Sequence, residues 1–225
     1  MHPAAVQLVA SIYGPAADFS VDERSAIAPE SPYGRTKAVF ETALADIAAG
    51  TDLRVISLRY FNPIGSDPQL RTGLQVPEPS HALGKMLQAR RDGTPFQVTG
   101  TDWPTRDGTG IRDYVHVWDL ARAHVAALER FDSIVGAAGT DGSLVVNLGA
   151  GTGTTVRELL DALRAVVGAD LRSTDAPPRP GDVAGCHTRS ARARELLGWE
   201  PELSIEDGIR DTLRWFEVRG ERFGI

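Results

Sequence analysis

Ser31-Pro32-Tyr33-Gly34-Arg35-Thr36-Lys37 opens a helix, and Leu53-Arg54-Val55-Ile56-Ser57-Leu58-Arg59-Tyr60-Phe61 is the strand that follows it. Ser31 reads as the N-cap and Pro32 as the first helical residue, where a missing N–H costs nothing. Val39, Ala43, Leu44 and Ile47 recur at helical spacing, and Gly50 supplies the stop. The apolar run at 53–61 ends at Asn62-Pro63, and an earlier one, Val6 to Tyr13, ends at Gly14. Strand, helix, strand in that order is a βαβ unit with the helix as crossover, which predicts an α/β fold with a parallel sheet.

Within that helix Tyr33 and Lys37 stand one turn apart on one face. An ammonium beside a phenol favours the phenolate, and such a tyrosine can take a proton from a hydroxyl near neutral pH. Tyr-x-x-x-Lys alone is a weak pattern, and a solvated helix face would show it too. Two features sharpen it. Only two of the 24 basic residues are lysines, Lys37 and Lys85. The Ser-Pro cap also puts the pair at a helix entrance, where ligands gather.

Composition bounds the rest. The 225 residues suffice for one large domain or two small ones, and 42% hydrophobic content can build a core. A net charge of −6 argues against nucleic acid or an anionic membrane as the main partner. The single cysteine, Cys186, excludes an internal disulfide and fits a reducing cytoplasm. No apolar run approaches membrane-span length, and no signal-peptide layout is seen. No metal site is read from the sequence. The expectation is a cytoplasmic globular protein.

Further along, residues 15–30 and 62–80 read as loops, about Ala82 to Arg91 as a helix, and Phe96–Thr99 as a strand. Asp119 reads as the cap of a helix reaching about Arg130. Leu144–Leu148 reads as a strand leading into Gly149-Ala150-Gly151-Thr152-Gly153 and a helix to about Val167. That glycine stretch looks like a phosphate loop, but Thr154 stands where a third glycine belongs, so a tight strand-to-helix turn is the better reading. Residues 174–187 form a Pro/Gly loop, and helices at roughly 189–197 and 204–219 close the chain.

By Tyr33 and Lys37 the sequence resembles the extended short-chain dehydrogenase/reductases. By Arg59-Tyr60-Phe61-Asn62-Pro63, the long string Gly100 to Val117 (GTDWPTRDGTGIRDYVHV), Val146 to Gly153 (VNLGAGTG) and Arg179-Pro180-Gly181-Asp182, it resembles the UDP-glucose 4-epimerase branch. The resemblance implies a partial Rossmann-like, doubly wound parallel sheet plus a smaller C-terminal α/β substrate-binding domain. Residues 1–63 would be the remnant of the NAD-binding domain with its active-site helix. Residues 64–225 would mainly bind the sugar nucleotide, with strands free to return to the first domain.

The resemblance also implies NAD as cofactor, a UDP-sugar as substrate and a homodimer as assembly. Tyr33 would be the acid/base, Lys37 would assist it and hold the nicotinamide ribose, and Phe61 would line the nicotinamide. Asn62, Thr99, Arg112, Arg179 and Asp182 match positions that hold the UDP, and Cys186 matches one facing the sugar C2 substituent. Arginine's planar donors suit a diphosphate. There are departures. The family's glycine-rich NAD loop, within roughly its first hundred residues, has no counterpart here. Val9 stands where the family has a Ser or Thr, which leaves Ser11 as the catalytic hydroxyl. The family's Asn-Leu of the uridine loop is replaced near Ser80-His81. A non-catalytic sugar-nucleotide-binding remnant, or a sibling dehydratase or decarboxylase, are the alternatives.

Overall fold

The structure, a computed structural model, describes residues 2–137 and 142–224. In chain order its elements are β1 (His2–Val9), a 3-10 turn (Ala10–Ile12), β2 (Ser20–Val21), α1 (Pro32–Gly50), β3 (Leu53–Tyr60) and β4 (Asn62–Ile64). Then come α2 (Ala82–Asp92), β5 (Phe96–Thr99), β6 (Ile111–His116), α3 (Val117–Glu129), α4 (Phe131–Ala137), β7 (Ser143–Leu148) and β8 (Gly153–Thr155). The chain closes with α5 (Val156–Val167), β9 (Ser173–Ala176), β10 (His187–Thr188), α6 (Ala191–Leu197) and α7 (Ile205–Phe223).

β1, β3 and β7 form a parallel sheet in that spatial order, with Val9 opposite Tyr60 and Arg59 opposite Asn147. Side chains alternate along a strand. Ile56, Leu58, Leu144, Val146 and Leu148 therefore share one face and pack with α3, α4 and α6. Arg59 points the other way and meets Glu41 of α1. Helices thus cover both faces, the doubly wound arrangement. β7 joins this sheet from far along the chain, returning past residue 63.

A second core gathers Leu83, Met86, Phe96, Val98, Leu159, Leu163 and Ile209 between α2, α5, α7 and the short strands. There β4 runs parallel to β6 while β8 runs antiparallel to it, and β5 pairs with β9. The helix starts follow local chemistry. Thr155 and Glu158 make a capping box on α5, and Ser204 and Asp207 make one on α7.

Four expectations need correction. The first strand ends at Val9 rather than Tyr13, because the Tyr13 N–H turns back to the Ala10 carbonyl and closes a 3-10 turn. The Val39 and Ile47 side chains, 70% and 50% exposed, face outward; Gly34 and Ala48 are the buried residues of α1. Asp119 does not cap α3. His116 does, its Nδ1 accepting the Trp118 N–H, while the buried Asp119 carboxylate accepts the N–H groups of Glu202 and Leu203. The supposed loops at 15–30, 62–80 and 174–187 carry the short strands β2, β4 and part of β9, each paired to a strand distant in sequence. Among the described residues no helix is long and apolar enough to cross a membrane.

Candidate functional site

The entrance of α1 is built as its sequence directs. The Ser31 hydroxyl accepts the Gly34 N–H at 3.0 Å, with Pro32 at the first turn. Tyr33 is 55% exposed. The Lys37 ammonium lies 5.6 Å from the centroid of its ring and, among the described residues, makes no hydrogen bond or ion pair. Gly34 docks on the turn that holds Ser11: a Cβ there would come within 2.4 Å of the Ser11 carbonyl oxygen. Tyr60, at the end of β3, also meets Tyr33. Burial, and then the charge of and a hydrogen bond with Tyr33, push the Tyr60 phenol up. Sequence reasoning gave Tyr60 no role of its own.

Phe61 is buried in a small cluster with Tyr13 and Val21, its ring stacked 6.4 Å from that of Tyr13. Cys186 packs against the same cluster, and burial pushes its thiol up to about 11, so it is a neutral side chain near pH 7.

Next to Phe61 in the chain, Asn62 opens onto a cavity of about 320 Å³. Asn62, Thr99, Arg112, Arg179 and Asp182, spread over more than half the sequence, all line it. Arg112 donates through Nη1 to the carbonyls of Ile111 and Ala184 and through Nη2 to that of Val183, so it braces the 182–185 loop. The Asp182 carboxylate accepts the Arg179 N–H at 3.0 Å and tightens the turn that presents Arg179. Tyr33, Lys37, Ser11, Phe61 and Cys186 are not on this wall. His81, Lys85, Phe96, Gln97 and Trp103 are; sequence reasoning set Ser80-His81 near the uridine loop and gave the other four no site role. His81 also caps α2 through Nδ1, and burial holds its ring below the usual histidine range. A signal existed for Lys85, as the other of only two lysines. Cations, an amide and flat aromatic rings around one cavity suit an anionic ligand with a planar ring.

The glycine stretch after β7 is a turn. The Asp113 carboxylate accepts the N–H groups of Ala150 at 2.7 Å, Gly151 at 3.2 Å and Thr188 at 3.0 Å. A protein carboxylate thus fills the place a bound phosphate would take. Among the described residues no group of His, Cys, Asp and Glu side chains could hold a metal ion.

A family model, the NAD dependent epimerase/dehydratase family, matches residues 4–149. UDP-glucose 4-epimerase of Rhizobium meliloti is 40% identical over 212 residues, covering 93% of this chain and 62% of that relative. Among solved structures, UDP-glucose-4-epimerase from Stenotrophomonas maltophila, with bound NAD and formylated UDP-arabinopyranose, superposes with a TM-score of 0.88 at 36% identity. It covers 98% of this chain and 65% of that one. UDP-glucose 4-epimerase from Bifidobacterium longum, in complex with NAD+ and UDP, gives a TM-score of 0.87 at 31% identity over 99% of this chain and 65% of that one. The chain therefore spans less than two thirds of the length of these relatives.

Proposed function

This chain belongs to the NAD dependent epimerase/dehydratase family, and from that premise we propose that it carries the active-site helix and the sugar-nucleotide site of a UDP-glucose 4-epimerase-like enzyme. The reaction is the interconversion of UDP-galactose and UDP-glucose through a 4-keto sugar. The observation that carries this reading is the convergence of Asn62, Thr99, Arg112, Arg179 and Asp182 on one cavity directly after Phe61. Two of the similar structures hold NAD together with formylated UDP-arabinopyranose or with UDP.

The residues present suit the nicotinamide end of NAD: an ammonium at Lys37 with no ion pair among the described residues, an exposed phenol at Tyr33, and a buried aromatic ring at Phe61. The amide nest after β7 is taken by the Asp113 carboxylate and is not offered to the NAD pyrophosphate. When bound, NAD supplies the reversible oxidation at sugar C4. Tyr33 takes the proton of the 4-hydroxyl on its phenolate oxygen and later returns it. Lys37 supplies positive charge beside that oxygen, and Ser11, on the turn docked against Gly34, hydrogen-bonds the same hydroxyl. Arg112 and Arg179 hold the diphosphate, Asn62 and Thr99 orient the nucleotide, and Asp182 accepts from ribose hydroxyls.

A second reading is a sugar-nucleotide-binding chain without turnover, favoured by a cavity whose lining gathers the nucleotide-holding residues and does not include Tyr33, Lys37 or Ser11. Calorimetric titration of the 225-residue chain with UDP tests the shared premise: saturable binding is expected, and its absence would sink both readings. Adding NAD and UDP-galactose then separates them. We propose a homodimer as the assembly and the cytoplasm as the compartment. The exposed Val39, Phe40 and Ile47 of α1 and the single unpaired cysteine support these two readings.

A further inference from the structure

Tyr33, Lys37 and Glu41 follow one another at four-residue spacing and share one face of α1. A lysine and a glutamate so spaced form an ion pair on a helix surface when nothing else competes. Here something does. Both carboxylate oxygens of Glu41 accept from Arg59, one from Nε at 2.9 Å and the other from Nη2. The third nitrogen, Nη1, donates to the Tyr13 hydroxyl at 2.6 Å, and that hydroxyl donates to Asn147 Oδ1 at 2.6 Å. The Arg59 side chain is 4% exposed and the Glu41 side chain 14%. A bidentate pair this sheltered holds its geometry, because freeing either partner leaves a charge poorly solvated.

We propose that Arg59 is a positioning residue for the Tyr33–Lys37 pair: by occupying both oxygens of Glu41 it keeps that carboxylate off Lys37 and leaves the ammonium to Tyr33 and a bound ligand. The inference rests on the reading that Tyr33 and Lys37 are the reactive pair. The same guanidinium ties α1 to β3 and, through Tyr13, to the turn that carries Ser11. One planar group therefore fixes the seating of the helix and the placement of the Glu41 charge together. Lysine could not replace it, since a single ammonium cannot span two carboxylate oxygens and a phenol in one plane.

A water-soluble carbodiimide tests this in the full chain. It joins a touching carboxylate and ammonium as an amide, with loss of one water, and peptide mass mapping locates the link. Lys37 and Lys85 are the only lysines, so the assignment is unambiguous. The expected result is no Lys37–Glu41 amide in the parent chain and a clear gain of it in Arg59→Met. Arg59→Gln, which keeps a neutral donor for Tyr13, is the milder variant and should give the same product. Glu41→Gln in that background should abolish it. An equal amount of the amide in the parent chain, or none in a folded Arg59→Gln chain, overturns the proposal. Neither outcome involves UDP, so the binding test above stands or falls separately.

Discussion

The carboxylate of Asp113 sits 2.7 Å from the backbone nitrogen of Ala150 and accepts its hydrogen bond. The turn after β7, whose sequence invites a phosphate, thus carries its own anion.

That anion has a measurable signature. Burial is the dominant effect and pushes the Asp113 carboxyl from 3.8 up to about 6, against the three N–H groups that favour the ionised form. Between those values the folded chain holds a proton that the unfolded chain has lost. Ionisation therefore opposes folding: the cost is full above about pH 6 and vanishes below about pH 4. The shift corresponds to roughly 3 kcal/mol. Urea unfolding of the parent chain and of Asp113→Asn across this range should show the parent's relative stability falling by that order as pH rises. A pH-independent difference between the two would mean that Asp113 is ionised throughout.

The two arginines at the cavity should behave differently. The Arg179 side chain makes no ion pair or hydrogen bond among the described residues, so Arg179→Ala should leave the melting temperature unchanged. It should weaken UDP binding about tenfold or more, the worth of a charged hydrogen bond. Arg112→Ala removes the donors that hold the carbonyls of Val183 and Ala184, so it should lower both affinity and melting temperature. Titration calorimetry with a thermal melt distinguishes the two patterns.

The 225-residue chain should bind NAD far more weakly than a full-length relative and turn over little or no UDP-galactose. On the proposed reading Tyr33, Lys37 and Phe61 meet the nicotinamide end of the cofactor, and the amide nest after β7 is already occupied by Asp113. Purified chain carrying tightly bound NAD with robust epimerisation would contradict this.

How legible all this was in the sequence depends on the range of the interaction concerned. The Ser31 cap, the strand read at 53–61 and found at Leu53–Tyr60, and the helix beginning at Ala82 are set by neighbours in the chain, and the sequence shows them directly. The motif strings pointed to Asn62, Arg112, Arg179 and Asp182, Thr99 stood beside them as a substrate-binding candidate, and the fold gathers all five around one cavity. Periodicity could not show which side of α1 meets the sheet. It locates an apolar stripe but not the partner, and here the sheet side takes Gly34, Glu41 and Ala48 instead. Glu41 with Arg59, and Asp113 with the Ala150 N–H, are contacts across elements, and Glu41, Arg59 and Asp113 are of types that alone suggest exposed charges. Lys85 and His81 are brought to the cavity by the way α2 packs.

Sugar preference should respond to Cys186. It packs against the cluster of Tyr13, Val21 and Phe61 as a small side chain. In a chain joined to a relative's nucleotide-binding portion, N-acetylated UDP-hexosamines should be accepted alongside the plain hexoses. Cys186→Tyr should suppress the N-acetyl reaction selectively, by a factor corresponding to roughly 1–3 kcal/mol. The ratio of the two kcat/KM values is the readout, and an unchanged ratio would remove Cys186 from the sugar's surroundings.

Gly34 rests its main chain directly on that of Ser11, with no room for a methyl group between them. The spacing between the proposed acid/base and its neighbouring hydroxyl is therefore ruled by the direct contact of two main-chain segments, not by the fit of interchangeable side chains. The apolar interior can drift through many volume-conserving substitutions without disturbing that spacing. One added carbon at position 34 would wedge the two segments apart. The reacting groups are thereby insulated from most sequence change in the core, and their tolerance is concentrated into a single site that admits no side chain.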